Sequence, residues 1–195
     1  MGTLCLECGC TASKEIGENG IVYYKNIPVK NRYEGECPVC GGNVAIIDEE
    51  IMWHIYHLNK GPYTTYHSCA GHYTSNNHDM YVALSADTMD AARDLLEYFK
   101  NTNHKILHIE DNKTIYDMKT GKRTPGFIIR NKDWREVLKD DSSYKFLNDK
   151  HVERKRIFLS ELKNLVIHLC IEKNDSKLKK GVPCNETKVL FHHSS

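Results

Sequence analysis

The sequence predicts an α+β fold, and three observations support this prediction. Two Cys-x-x-Cys-Gly turns lie near the N-terminus. The middle of the chain carries helical and strand patterns that do not alternate as a doubly wound sheet requires. A long apolar stripe with helical spacing follows towards the C-terminus. The chain is therefore expected to divide into three parts: an N-terminal module over 1–46, a compact mixed core over 47–131, and a helical C-terminal part over 132–195 that packs on the core.

The N-terminal module has cysteine pairs at Cys5 and Cys8 and at Cys37 and Cys40, and a glycine follows each pair. At this spacing both thiolates of a turn reach one ion, and the glycine lets the backbone curl back towards the sulfurs. Two such turns complete a tetrahedral shell of four sulfurs, which suits Zn²⁺. We therefore predict one structural zinc ion per chain. Cys10 lies nearby in Cys8-Gly-Cys10 and could offer an alternative ligand, or it could be the resolving thiol in redox sensing.

Residues 20–30 separate the two turns and are rich in β-branched and aromatic residues, which predicts a hairpin. The stretch Tyr24-Lys-Asn-Ile-Pro-Val29 leads into Cys37-Pro-Val-Cys-Gly-Gly42. This arrangement resembles the zinc ribbons at the start of some antitoxin-type regulators and of uncharacterised phage accessory proteins. The resemblance covers the N-terminal module alone and implies a zinc-ribbon fold. The helix-turn-helix that follows the ribbon in the antitoxins is not expected here.

Composition and charge limit the classes of function. Apolar residues make up 40% and charged residues 27% of the chain, which fits a globular protein. Eight cysteines without a signal peptide favour metal ligation in the cytoplasm over a secreted disulfide scaffold, and no apolar run is long enough for a membrane span. The net charge of +1 gives no overall basic field for nucleic acid. Local basic clusters nevertheless occur at Lys150, Arg154, Lys155 and Arg156, and at Lys177, Lys179 and Lys180.

The core is expected to begin with a helix over 48–60, because Asp48 is a plausible N-cap and Gly61-Pro62 is a stop signal. Alternation and β-branched residues predict the strands, and apolar spacing predicts a second helix that Asp87 or Thr88 caps. The remaining elements are expected in this order: strands over 63–68 and 80–85, a helix to about 100, strands over 105–109, 114–118 and 126–130, helices over 132–149 and 150–171, and an edge strand over 188–191.

The last of these helices has the clearest amphipathic pattern. Its apolar residues fall at i, i+4, i+7, i+8 and i+11, and they are Phe158, Leu162, Leu165, Val166 and Leu169. We expect this face to pack on the core.

A second chemical cluster follows the first predicted strand of the core, in Tyr66-His-Ser-Cys-Ala-Gly-His72. Four interpretations are open. Cys69 could be a nucleophile that a histidine activates. Cysteine and histidine could hold a second metal with an open position. Backbone N–H groups at the turn could bind an anion, with His67 and His72 as contacts. Finally, the loop could be structural, with Gly71 in a tight turn and Cys69 as a small buried residue.

The segment from Ser68-Cys-Ala-Gly-His72 to Tyr81-Val-Ala-Leu is similar to a segment of uncharacterised phage and Gram-positive proteins. It also distantly resembles the Ser-Cys-x-Gly-Arg segment of the wybutosine-synthesis methyltransferase family, which acts on tRNA. His72 stands at the position of the arginine. The anion-binding interpretation of the turn itself gives the candidate ligand-binding residues, which are His67, Ser68, Cys69, Gly71 and His72.

Two functions are therefore carried forward. The first is a zinc-binding cytoplasmic accessory protein without catalytic activity, which binds a protein or a nucleic acid. The second is a small enzyme or ligand sensor that uses the Ser68–His72 turn on a nucleotide or RNA. The closed metal shell and the lack of an evident catalytic triad favour the first.

Overall fold

The structure is a computed structural model that describes residues 2–13, 15–16, 22–24, 27–29, 35–71, 79–116, 121, 123–132 and 144–172. Both helices and strands occur in these ranges, so the predicted α+β class is confirmed. The strands are β1 Gly2–Cys5, β2 Thr11–Ser13, β3 Glu15–Ile16, β4 Val22–Tyr24, β5 Ile27–Val29, β6 Gly35–Glu36, β7 Asn43–Ile47, β8 Tyr63–Ala70, β9 Met80–Ala86, β10 Leu107–Tyr116 and β11 Arg123–Asn131. The helices are α1 Met52–Lys60, α2 Met89–Asn101 and α3 Tyr144–Val166, with a 3₁₀ turn over Glu49–Ile51 and a π-helical segment over Ile167–Glu172.

The N-terminal part contains two small antiparallel sheets, with the strand orders β2-β1-β7-β6 and β3-β4-β5. The pairing of β4 with β5 confirms the hairpin expected over residues 20–30. In the first sheet, Cys5 at the end of β1 lies opposite Val44 in β7. The strand β6 ends one residue before Cys37 and pairs with the other side of β7. The central strand β7 thus brings the two cysteine turns to the same end of the sheet.

The central sheet is antiparallel, with the order β10-β11-β9-β8. The sequence predicted separate strands over 105–109 and 114–118, but the structure has a single strand, β10, in their place. The polar residues between them resemble a turn in the sequence. Pairing with β11 nevertheless carries the strand through this stretch, with an irregularity between Asp111 and Thr114.

One hydrophobic core joins the N-terminal sheet to the rest of the described residues. Leu4 of β1 and Ile47 of β7 belong to the same buried cluster as Ile55 of α1. The side chains of α3 and of the π-helical segment after it that were predicted to face the core are all buried in this cluster: Phe158, Leu162, Leu165, Val166 and Leu169. The packing expected for the C-terminal helix is therefore confirmed, and the N-terminal sheet shares its interior with the central sheet.

Glu161 on α3 ties this helix to the start of β10. Its carboxylate accepts hydrogen bonds from the backbone N–H groups of Lys105 at 2.6 Å, Ile106 at 3.1 Å and Leu107 at 2.9 Å. A charged acceptor makes each of these bonds stronger than a neutral one would be. Ile106 and Leu107 are buried, so water cannot readily replace the carboxylate.

None of the helices among the described residues combines the length and the apolar character that a membrane span requires.

We predict that Glu161→Ala lowers the free energy of unfolding by about 3 kcal/mol, because it leaves buried N–H groups without an acceptor. Glu161→Gln retains one acceptor oxygen and is expected to lose about half as much. Ser160→Ala, at an exposed neighbouring position, is the control and should stay within about 0.5 kcal/mol of the unaltered chain. Urea unfolding measures all three, and a Glu161→Ala chain as stable as the control would contradict this role.

Candidate functional site

The two cysteine turns have the same backbone structure. The N–H of Gly9 donates to the carbonyl of Cys5 at 3.0 Å, and the N–H of Gly41 donates to the carbonyl of Cys37 at 2.8 Å. The first cysteine of each turn also donates its own N–H to the carbonyl five residues later, at 2.9 Å and 2.8 Å. Gly9 and Gly41 have φ angles of 75° and 73°, in the left-handed region that glycine adopts without strain. The chain therefore contains one ligand-presenting turn twice.

Together the turns bring four sulfur atoms close to one another. The Sγ atoms of Cys5, Cys8, Cys37 and Cys40 all lie within 4.8 Å of each other. Across the turns, the Cys5–Cys40 Sγ distance is 3.6 Å and the Cys8–Cys37 Sγ distance is 3.7 Å. Metal–sulfur bonds of about 2.3 Å in a tetrahedron place sulfurs about 3.8 Å apart. A disulfide would need about 2.05 Å, so the spacing fits one metal ion and excludes bridged cysteines.

The electrostatic surroundings of these thiols also favour a bound cation. Burial raises the pKa of Cys5, although backbone N–H groups point at its sulfur. Burial also acts to raise the pKa of Cys37, but hydrogen bonds from the backbone N–H groups of Val39 and Cys40 and from the side chains of Cys8 and Cys5 together lower it. Four thiolates at this spacing repel one another strongly unless a positive charge lies between them. A divalent ion would remove this repulsion and displace the remaining thiol protons.

The first turn is packed against α1. The ring of Tyr56 lies so close to Gly9 that a β-carbon there would be 3.0 Å from Tyr56 Cζ. Lys60, one helical turn further on, lies 3.9 Å from the carboxylate of Glu7 in the same cysteine turn. The position of the first turn is thus linked to the helix that connects the N-terminal sheet with β8.

Cys10 is not one of the four clustered sulfurs. Its carbonyl accepts the N–H of Cys5, and its half-buried side chain packs against the small buried cluster that includes Cys37 and Val44. Its backbone therefore supports the first turn. The resolving-thiol role for its side chain stays a prediction.

The second predicted site lies at the end of β8. His67 is exposed, Ser68 is half-buried and Cys69 is buried, all within the strand. Gly71 follows the strand with a φ angle of 77°, and its N–H donates to Cys69 Sγ at 3.4 Å. His72 lies outside the described residues. Gly71 therefore has the left-handed backbone conformation that suits glycine, and the sulfur of Cys69 contacts its N–H; the rest of the expected turn lies outside the described residues.

The structure adds three side chains to this site that the sequence analysis did not assign to it. Lys155 of α3 is only 5% exposed, and its Nζ lies 3.4 Å from the carbonyl oxygen of Gly71 and 2.7 Å from Glu50 Oε1. The ring of His151 lies against Gly71, where a β-carbon would be 3.0 Å from His151 Cε1. The sequence did contain a sign that His151 and Lys155 face the core. Both precede Phe158 on the same helical face, and Phe158 was predicted to be buried.

Asp48 occupies the N-cap position, as expected, but at the start of the 3₁₀ turn, and its side chain makes no capping hydrogen bond. Its Oδ2 accepts the backbone N–H of Ala70 at 2.9 Å instead. Ala70 lies in β8, an edge strand of the central sheet, and an N–H at such an edge lacks a strand partner on one side. Asp48 thus contributes to the surroundings of Gly71.

Comparison with known proteins gives no relative: no family model, no curated protein and no solved structure matches the chain.

We predict one metal ion per chain in protein purified without chelator, and close to none in Cys37→Ser. Loss of a thiolate opens the shell and weakens the hold of the first turn on α1, so the melting temperature should fall by about 2 to 4 °C for each kcal/mol lost. Elemental analysis and thermal melting measure the two effects. Cys170→Ala is the matched control, because Cys170 is a buried thiol outside the cluster. A Cys37→Ser chain with unchanged metal content would contradict the ligand set.

Proposed function

We propose that this chain is a zinc-binding accessory protein that acts by binding a protein or a nucleic acid, not by catalysis at the metal. The geometry of the four thiols is the main observation that supports this proposal. Their sulfurs lie at the spacing of a filled tetrahedron, and a filled tetrahedron leaves no position at which water or substrate could bind. A site of this kind holds backbone segments in place.

Zinc is the ion that suits this site best. Four thiolates in a tetrahedron select zinc or iron, and zinc has no redox chemistry that would disturb a structural role. The two turns at the end of a small antiparallel sheet support the zinc-ribbon interpretation of the N-terminal part. The likeness to ribbons of phage accessory proteins supports an accessory role in the cytoplasm.

The metal would also fix the surface around the second turn. Val39 lies between Cys37 and Cys40, and its side chain is 63% exposed. A single exposed valine is ordinary on a protein surface. Its position between two ligands nevertheless makes it a useful reporter, because the path of the chain there depends on the metal.

A second candidate function is a small enzyme or ligand sensor at the Ser68–His72 turn. The observation that favours it is the burial of Lys155, whose ammonium lies between Glu50 and the carbonyl of Gly71. A buried ammonium costs solvation energy, and clusters of buried titratable groups are frequent at functional sites. A nucleotide or RNA is the substrate class that the resemblance of this segment suggests.

Photo-crosslinking separates the two candidates. A photo-reactive amino acid replaces Val39 in the full chain, and irradiation is carried out in the native host. We expect a discrete adduct with a macromolecule, because the ribbon surface binds the partner. The adduct should disappear in Cys37→Ser, which loses the metal, and persist in Lys155→Met, which alters only the Gly71 turn.

The opposite pattern would contradict the proposal. In that case the metal-loaded chain gives no macromolecular adduct. Instead, it retains a small molecule through purification, and Lys155→Met loses that molecule. Mass spectrometry of the purified chains reads out both outcomes.

A further inference from the structure

The exposed face of α1 carries an unusual set of side chains. Trp53, Tyr56, His57 and Lys60 fall at i, i+3, i+4 and i+7 and therefore share one face, which we name the α1 stripe. The opposite face is buried in the core through residues that include Ile55 and Leu58. The helix contains no acidic residue. The α1 stripe is thus aromatic and basic along its whole length.

At one end of the stripe, Trp53 is 38% exposed and combines with a cation from another helix. Lys163 Nζ of α3 lies 5.7 Å from the centroid of the Trp53 ring. The ring of His57 lies 4.5 Å from that of Trp53. Burial lowers the pKa of His57, so at neutral pH it contributes an uncharged ring. This end therefore offers flat π-surfaces with one ammonium beside them.

At the other end of the stripe, Lys60 lies beside the ring of Tyr56 and forms a weak ion pair with Glu7. Its Nζ is 5.8 Å from the centroid of Tyr56 and 3.9 Å from the carboxylate of Glu7. Both charged side chains of this pair are exposed, and ion pairs of this kind contribute little. A phosphate could compete with Glu7 for Lys60. Tyr56 itself is held against Gly9 of the first cysteine turn.

By contrast, the structure describes three cations of the basic cluster that contains Arg154, Lys155 and Arg156, and each of these three has a partner. Lys155 is buried against Glu50. Arg156 makes a two-bond contact with Glu153, and Arg154 donates to the carbonyl of Lys132. These cations already have partners within the protein. The α1 stripe and Lys163 instead place exposed cations next to aromatic rings.

We propose that the α1 stripe, together with Lys163, binds single-stranded nucleic acid. A base stacks on the Trp53 ring, and the ammonium groups of Lys60 and Lys163 contact phosphates. Bases of a single strand expose the π-faces that such a platform needs, whereas a duplex hides them. The base takes the ring face beside Lys163, and the flexible lysine stem moves the ammonium to the backbone. This inference rests on the proposed function and names its partner.

Fluorescence anisotropy of a labelled oligothymidylate of about 12 nucleotides tests this, with the metal-loaded full chain. Trp53→Ala should weaken binding about tenfold or more, because one base loses its stacking partner. Trp53→Phe keeps a ring and should stay within about threefold of the unaltered chain. Lys163→Ala should reduce the slope of log affinity against log salt by about 0.7, since one phosphate contact is lost.

Lys100→Ala is the control, because Lys100 is an exposed lysine on α2 and should leave both affinity and slope unchanged. Thermal melting and metal content of each variant confirm that the fold is kept.

Three results would overturn the inference: no binding at low salt, equal loss in Trp53→Ala and Lys100→Ala, or a duplex bound as tightly as the single strand. A protein adduct at Val39 with no oligonucleotide binding would overturn the inference and leave the proposed function standing. Metal-free purified chain would overturn the proposed function instead.

Discussion

The N-terminal part of this protein depends on the convergence of four sulfur atoms from two distant turns. Without a cation, these thiols would face each other at distances where several negative charges are unfavourable, and burial opposes ionisation of Cys5 in particular. With one divalent ion, the same spacing becomes a filled tetrahedral shell. The small sheet behind the turns has only short strands, so a bound metal ion would add order at the end of the sheet where the cysteines lie.

The consequences of this constraint extend beyond the two turns. Tyr56 packs on the first turn and belongs to α1, and α1 packs in turn on β8 and α3. The N-terminal sheet shares its buried cluster with these elements through Leu4 and Ile47. The first cysteine turn therefore contacts α1, and α1 contacts α3. A change in metal binding is expected to affect the position of the α1 stripe through these contacts. A partner that recognises the stripe would bind next to a surface that a bound metal ion would fix.

Local patterns in the sequence were sufficient for some of these features. The Cys-x-x-Cys-Gly spacing predicted both turns, because the geometry of each depends on residues within a few positions of one another. The apolar residues of α3 were predictable for the same reason, since their spacing follows the helical period. The continuity of strand β10 was not predictable, because it depends on pairing with β11, which is distant in the sequence from the interrupting residues.

The surroundings of Gly71 show where sequence reasoning failed. Lys155 looked like part of a solvated basic cluster, yet it is buried because Glu50 and the Gly71 carbonyl receive its ammonium. Asp48 occupies the expected N-cap position, but its side chain accepts an N–H from β8 and does not cap the helix. Both assignments depend on contacts between residues far apart in the chain. Spacing along the sequence holds no information on such contacts.

X-ray absorption at the zinc edge of the purified chain tests the central claim most directly. The account predicts one zinc ion with four sulfur neighbours at about 2.3 Å and no nitrogen or oxygen in the first shell. A mixed shell with an oxygen or nitrogen ligand would mean an open site and would contradict the structural role. Absence of zinc, with the four cysteines joined as disulfides, would contradict the account as a whole.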